Sequence, residues 1–385
     1  MDTVVEGMER REQVLSVFLD LSKAFDCVEH ETLLHQLETA GIRGLAHNWL
    51  TSYLQGREQF VQVSNVKSEK IQMAYGVPQG SILGPVLFLI YVNNLNSSIR
   101  HGKLIQYADD TTICFTGKSI QQLEITTFIE LNSCIQYFSD INLSSNQTKS
   151  NVIKFSLRQQ TEENSPAVMV DENLLEENES TKFLGMFLDR GLTWSNHIDY
   201  ISSKITSGIF ALRNLAKFVT PAVMKMAYFG LIYPHLSYGI RLWGSCAKTK
   251  LDRLFKLQKR AVRIMAKLKF RDSCRESFKS LGLLTLPSLY VFEVVVYCRS
   301  RCTLIQGRDI HQYETRGRDG FRIQQNRLAL YDHLPSQIGI KFINKIPRII
   351  KNLNNPNLFK HRLKSFLISK AYYLVDEFMI DYLND

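Results

Sequence analysis

Apolar positions along the chain fall into runs whose period and length separate strands from helices. The run Val14-Leu15-Ser16-Val17-Phe18-Leu19 is apolar but for one serine and stops on Asp20. It predicts a buried strand with a carboxylate at its C-terminal end. Val28 to Glu38 predicts a helix stopped by Gly41, and His47 to Leu54 a second short helix. Gln59 to Val63 and Lys70 to Tyr75 read as the two arms of a hairpin. Gly76-Val77-Pro78-Gln79-Gly80-Ser81 is a loop by composition, since Gly and Pro interrupt regular structure. Ile82 to Leu95 is too long for a strand and reads as a buried helix. Leu104 to Phe115 carries two apolar runs flanking Asp109-Asp110, a hairpin with the acidic pair at its turn.

Further along, Ile120 to Phe138 has helical periodicity and Val152 to Phe155 is a short strand. Residues 158–180 are polar and acidic, a loop or weak hairpin. Phe183 to Leu188 returns to strand. From about His197 the pattern is mostly helical, with Pro221, Pro234 and Pro287 marking breaks. Residues 303–325 are loop-like, and a last helix is expected from about Leu358 to Ala371. The fold class is therefore α+β, a strand-rich first half followed by a helical second half.

Charge sharpens that division. The 385 residues carry a formal net charge of +10, yet residues 201–300 hold 18 Lys and Arg against 4 Asp and Glu, a net of +14 that leaves −4 for the rest. A basic block beside a mildly acidic body suits a polyanionic partner such as nucleic acid. The seven cysteines are scattered, and Cys298 with Cys302 forms only a single C-x3-C pair, so a zinc site has little support. Residues 1–13 do not resemble a secretory leader. The apolar stretch Ile82 to Val92 contains Gly84 and Pro85 and is too short to span a bilayer. No membrane partner is expected, and the expected location is inside the cell, in nucleus or cytoplasm.

Carboxylates at the ends of apolar strands need an explanation, because buried charge is costly unless it is paired or bound to metal. Asp20, Asp109 and Asp110 are such carboxylates. Hard cations such as Mg2+ take oxygen ligands, and two of them roughly 3.5–4 Å apart clamp the attacking and leaving oxygens of a phosphoryl transfer. Each acidic residue alone has a plainer reading: Asp pairs favour turns, and Asp20 precedes a helix that it would cap. Only the combination points to chemistry.

That combination resembles the reverse transcriptases of non-LTR retrotransposons. Phe18-Leu19-Asp20-Leu21-Ser22-Lys23-Ala24-Phe25-Asp26 resembles polymerase motif A, Gly76 to Ser81 motif B, and Tyr107-Ala108-Asp109-Asp110 motif C. Asn142 to Ser150, with Lys149, resembles motif D, and Phe183-Leu184-Gly185 the primer grip of motif E. All five stand in the family's order and spacing. Phe187 through Trp194 and His197 resembles the jockey-like clade, and His311-Gln312-Tyr313-Glu314-Thr315-Arg316 resembles a recurring tail segment. Specific motifs cover roughly residues 1–215.

The resemblance implies a right-hand palm over residues 1–195, a basic helical thumb over 196–300 and a C-terminal extension over 301–385. The implied reaction is RNA-directed addition of deoxynucleotides to a primer 3′-hydroxyl. Its partners are an RNA template, a DNA primer and deoxynucleoside triphosphates, and its cofactor is a pair of Mg2+ ions, with Mn2+ as a substitute. Asp20 and Asp109 are implied to bridge both metals and Asp110 to support them. Lys149 is implied as general acid for pyrophosphate. Leu21 and Ala24 bound the backbone near the triphosphate. Phe25 is implied as the steric gate against a 2′-hydroxyl, though by residue type alone it reads as core. Gln79 and Gly80 are implied to contact the nascent base pair, Gly80 through close backbone approach. Lys256, Lys259, Arg260, Arg263 and Lys267 lie at helical spacing close to one face, implied to hold template–primer phosphates. Leu251, Leu254, Phe255, Val262 and Met265 supply the buried side.

Two departures temper the match. Only residues 1–13 precede the first palm strand, so the fingers that carry triphosphate-binding residues in the family are expected to be largely absent, as in a truncated element. Asn93-Asn94 stands where the family usually has Asn-Asp. The alternative is an inactive remnant that only binds nucleic acid. An RNA-templated RNA polymerase is disfavoured by Phe25 and the Pro-Gln-Gly loop.

Overall fold

The computed structural model describes residues 1–157, 166–170, 173–306, 309 and 320–381, which leaves the tail segment His311 to Arg316 outside the described residues. The chain divides into two compact units, Thr3–Leu184 with Met1, and Gly185–Asp385 with Asp2. It is a mixed α+β structure.

The first unit is built on a five-stranded sheet. Gln13–Leu19 lies at its centre, between Asp110–Gly117 and Asn151–Phe155; Lys103–Tyr107 and Glu176–Glu177 form the edges. All neighbours are antiparallel except the short Glu176–Glu177 edge. Six consecutive residues, Val14 to Leu19, are buried, which explains why this strand reads as an unbroken apolar run rather than an alternating one. Leu15, Val17 and Leu19 join the main core with Leu33, Leu37 and Phe88 from flanking helices. Val14 faces the other way, where Gly7 of the helix Asp2–Glu9 packs so closely that an added Cβ would meet Val14 Cγ2 at 2.8 Å. The sequence pattern did not predict that helix: it is eight residues long, and its apolar side is only Val4, Val5 and Met8.

The other expected elements appear with instructive differences. The helix expected over Ile82 to Leu95 ends at Tyr91 and continues as a 3-10 turn, Asn93–Ser98. The buried Tyr91 hydroxyl donates to the carbonyl of Ile141 and accepts from the Glu29 amide at 3.3 Å, with burial pushing its pKa up to about 12. The hairpin read over 59–75 is two short pairs, Glu58–Gln59 with Ile71–Gln72 and Gln62–Val63 with Val66–Lys67. The strand read through Phe183 to Leu188 is interrupted: Ser180–Phe183 and Met186–Asp189 flank Leu184 and Gly185, which take φ of +46° and +79°. A strand cannot continue through two left-handed residues.

The second unit is helical after Met186–Asp189. Its long helices are Ser195–Leu215, Lys248–Met265, Leu286–Arg301 and Pro356–Lys370. Pro221, Pro234 and Pro287 each sit in the first turn of a helix, where proline's missing N–H costs nothing. The buried Gln258 ties the core together. Its amide donates to the Tyr228 hydroxyl at 3.0 Å and to Leu284 O at 2.9 Å, and its carbonyl accepts from the Leu286 amide at 2.8 Å. All seven cysteines are free. Among the described residues no single helix is long and apolar enough to cross a membrane.

Candidate active site

The sheet register sets the site. The central pair ends at Leu19 opposite Thr111, so Asp20 stands opposite Asp110, one step beyond the last paired residues. On the other side of that strand, Tyr107 pairs with Asp110, leaving Ala108 and Asp109 as the two-residue turn. Of the acidic pair, then, only Asp109 is in the turn; Asp110 opens the strand. Ala108 takes φ +53°, the positive value that such tight hairpin turns require at their first position. An L residue held there costs roughly 1–2 kcal/mol, a local strain stored beside the carboxylates.

Asp20 is anchored by its backbone rather than its carboxylate. Its amide donates to Ser150 Oγ at 3.1 Å and its carbonyl accepts from the Asn146 amide at 2.7 Å. Ser150 Oγ donates to Asn146 O at 2.9 Å, and the Ser22 amide donates to Ser144 O at 2.8 Å. The segment 144–150 is thus strapped to the end of the central strand, and the Asp20 carboxylate is left partly exposed. Lys149 on that strap places Nζ 3.7 Å from Asp20 Oδ2, with 68% of its side chain exposed.

Asp20, Asp110, Lys149 and Phe183 line one small cavity of about 80 Å³ with Phe18 and Thr111. Phe183 packs on Phe18 with ring centroids 5.6 Å apart. The Asp110 carboxyl is pushed above its ordinary value, first by partial burial and then by the nearby Asp109 and Asp20 charges. Among the described residues no three His, Cys, Asp or Glu side chains converge as a closed metal cage. The donor chemistry still suits Mg2+, which takes oxygen ligands and binds through one or two carboxylates together with substrate phosphates rather than in an all-protein cage. Mutually repelling carboxylates on adjoining strand ends are what such a cation would neutralise.

A second cluster joins the segment Phe25 to Val28 to the loop Gly76 to Gln79. The Val77 amide donates to Phe25 O at 2.9 Å and the Gly76 amide to Val28 O at 2.7 Å, while Gln79 Nε2 donates to Asp26 Oδ1 at 3.0 Å. Within the protein, the close backbone approach in this loop is at Gly76. A Cβ on Gly76 (φ +87°) would lie 3.2 Å from Asp26 O, whereas nothing stands within 4 Å of one on Gly80 (φ +79°). Leu21 and Ala24 are buried, and Phe25 is half-buried, stacked on Phe88 with centroids 4.5 Å apart.

The cations of the basic helix differ in exposure and in what they touch. Lys256, Arg260 and Lys267 are exposed. Lys259 Nζ lies over the rings of Phe255 and Tyr373 at 4.6 and 5.3 Å, and Arg263 Nε donates to Asp272 O at 3.0 Å. Aromatic faces and a carbonyl within reach hold these two cations against the unit's own surface. On the buried side, Leu254, Phe255, Val262 and Met265 are buried as expected, Leu251 only partly, and Gln258 and Ala261 join them.

Sequence reasoning gave no role to Glu130. This carboxylate, 4% exposed, accepts from the amides of Arg100, His101 and Gly102 at 3.2, 2.7 and 2.9 Å, and lies 2.8 Å from His101 Nδ1. Burial would raise its pKa, but these hydrogen bonds outweigh burial and hold it below the usual range. Glu130 thereby fixes the loop that feeds Lys103–Tyr107 and the turn bearing Asp109. An acidic residue inside an otherwise apolar helix face was its only sequence signal.

Comparison with known proteins bears on this arrangement. The family profile described as reverse transcriptase (RNA-dependent DNA polymerase) matches residues 4–188. The probable RNA-directed DNA polymerase from transposon X-element of Drosophila melanogaster is 29% identical over 280 residues, 69% of this chain and 30% of that protein. The RNA-directed DNA polymerase from mobile element jockey of the same species is 30% identical over 274 residues, 67% of this chain and 29% of that protein. The chain therefore spans less than a third of the length of these curated relatives. Among solved structures, telomerase from Candida albicans aligns with a TM-score of 0.34 and 10% identity, covering 75% of this chain and 46% of that one, a likeness too weak to bear on the fold.

Proposed function

Residues 4–188 form a reverse transcriptase domain of the non-LTR retrotransposon family, and from that premise we propose that this chain catalyses RNA-directed addition of deoxynucleotides to a primer 3′-hydroxyl. One juxtaposition supports this reading: Asp20 opposite Asp110 across the central strand pair, with Asp109 in the adjoining turn and Lys149 beside Asp20. The five-stranded unit is then the palm of a right-hand polymerase, with its site at one end of the sheet. The helical unit supplies the thumb and the C-terminal extension.

The family generally uses divalent metal ions, and Asp20, Asp109 and Asp110 are the residues that would hold two Mg2+, or Mn2+. Bound there, the ions would lower the pKa of the primer hydroxyl and neutralise charge on departing pyrophosphate. Asp20 and Asp109 would hold the ions, and Asp110 would assist them. The Lys149 ammonium donates a proton to the leaving pyrophosphate. The backbone from Leu21 to Ala24 lies along the triphosphate, and Phe25 closes the space a ribose 2′-hydroxyl would need. Gln79 and Gly80 border the nascent base pair, and Phe183, Leu184 and Gly185 grip the primer end. Lys256, Arg260 and Lys267 neutralise template–primer phosphates; Lys259 and Arg263 contribute less, being engaged within the unit. RNA template, DNA primer and deoxynucleoside triphosphates are the partners, met inside the cell in nucleus or cytoplasm.

The inactive-remnant alternative is not favoured by the comparisons, whose family profile and relatives are RNA-directed DNA polymerases. The test is extension of a DNA primer on an RNA template by the purified chain, with Mg2+ and separately with Mn2+. Incorporation of deoxynucleotides in preference to ribonucleotides supports the proposal, and template–primer binding without incorporation supports the remnant.

A further inference from the structure

The helix Lys248–Met265 ends in a turn built to present one aromatic ring. Lys267 takes φ +55° and reverses the chain. The Leu268 amide donates to Arg263 O at 2.9 Å, and the Asp272 amide to Lys269 O at 3.2 Å. The Asp272 carboxylate accepts from the Lys269 amide at 2.9 Å, and its carbonyl accepts from Arg263 Nε at 3.0 Å. These bonds fix residues 267–272 from inside, so the side chains at the tip are held outward.

At that tip Phe270 is 82% exposed. A single exposed apolar residue is ordinary on a protein surface. What sets Phe270 apart is its surroundings. Lys267, Lys269 and Arg271 flank it, all exposed, and none of the three forms an ion pair among the described residues. Asp272, the carboxylate that follows Arg271 in sequence, accepts from the Lys269 amide within the turn. Upstream, Lys256 and Arg260 continue the same charge along the helix, since positions 256, 260, 263 and 267 recur every three to four residues. They form a basic track about 16 Å long that runs into the turn.

An aromatic face set among unpaired cations matches the two things a flexible nucleic-acid strand offers: an unpaired base with a π-face, and phosphates on either side. A protein partner would call for apolar neighbours around Phe270, and its sequence neighbours are charged. We propose that the turn Lys267–Arg271 is a contact for single-stranded nucleic acid, in which Phe270 stacks on an unpaired base while Lys267, Lys269 and Arg271 neutralise adjoining phosphates. The assignment takes the kind of partner from the polymerase reading, but it is tested by binding alone.

The experiment is fluorescence-anisotropy titration of the full chain with a short labelled oligo(U), over a range of salt concentrations, in parallel with primer extension. Phe270→Ala and Phe270→Leu are expected to weaken binding about tenfold, and Phe270→Trp to retain it, because stacking needs a ring rather than apolar bulk. The salt dependence of Phe270→Ala stays that of the parent, whereas Lys269→Gln lowers the slope of log affinity against log salt by about one. Equal affinity of Phe270→Leu and Phe270→Trp overturns the proposal. So does a parent chain that extends primers yet does not bind oligo(U), an outcome that leaves the polymerase reading intact. Self-association of the parent that Phe270→Ala abolishes places the turn in a protein interface and also overturns it. Loss of primer extension with oligo(U) binding and its Phe270 dependence preserved separates failure of the polymerase reading from failure of this one.

Discussion

Lys149 holds its ammonium 3.7 Å from the Asp20 carboxylate, on a strap whose Asn146 amide also binds the Asp20 carbonyl. The ion pair is exposed, so it adds little to stability, on the order of 0–1 kcal/mol. Its consequence lies in placing a proton donor beside the proposed phosphoryl-transfer centre. Lys149→Ala is expected to leave the melting temperature almost unchanged while lowering kcat by roughly a hundredfold, with a smaller change in KM. Steady-state kinetics beside a thermal melt check this. A variant with parental kcat removes Lys149 from the chemistry.

Glu130 makes the opposite kind of contribution. It lies far along the helix Ile120–Asp140, yet it holds three successive amides just before the hairpin that carries Asp109. Replacing the carboxylate by an amide turns one acceptor into a donor facing an N–H. Glu130→Gln is therefore expected to cost about 2 kcal/mol of stability. If the loop positions Asp109, kcat falls about tenfold with KM nearly constant, because small displacements of reacting groups are costly. Loss of stability with parental kcat would confine Glu130 to folding.

Phe25 combines a packing contact with a proposed gate. Its ring stacks on Phe88, 4.5 Å between centroids. Phe25→Val should destabilise the first unit by about 2 kcal/mol, less than a fully buried ring would. It should also raise ribonucleotide use relative to deoxynucleotide use by tenfold or more. Competition between the two nucleotide types during primer extension measures the second effect. Unchanged discrimination in a destabilised variant assigns the ring to the core alone.

His197 gives the second unit an acid limit. It is 1% exposed, its Nε2 has no hydrogen-bond partner among the described residues, and burial lowers its pKa from 6.5 to about 4. Between those values the unfolded chain binds a proton that the folded chain does not. The stability contributed by the neutral ring is thus complete above pH about 6.5 and is lost as pH falls toward 4, by on the order of 3 kcal/mol. His197→Gln is expected to flatten the fall in melting temperature across that window. Equal slopes for parent and variant would show that the acid limit lies elsewhere.

The legible parts of the chain were those written in local pattern. The apolar run ending on Asp20, the hairpin around Asp109 and the 21-residue helix from Ile120 were readable because each depends on neighbours within a few positions. Long-range pairings were not readable. Gln79 with Asp26 spans 53 residues, and Asp20 with Ser150 spans 130; nothing local distinguishes these polar residues from solvated ones. The basic helix shows the same limit. Its spacing placed five cations close to one face, but Tyr373, more than a hundred residues downstream, draws Lys259 onto the unit's own surface.

Asp20, Asp109 and Asp110 are expected to act together in nucleotidyl transfer. The most direct measurement is RNA-templated primer extension by the parent chain and by Asp109→Asn, a near-isosteric change that removes one metal-binding charge. Deoxynucleotide incorporation by the parent, a loss of at least about a thousandfold in Asp109→Asn, and equal binding of template–primer by both are the predicted result. Incorporation that persists undiminished in Asp109→Asn contradicts the assignment of the site.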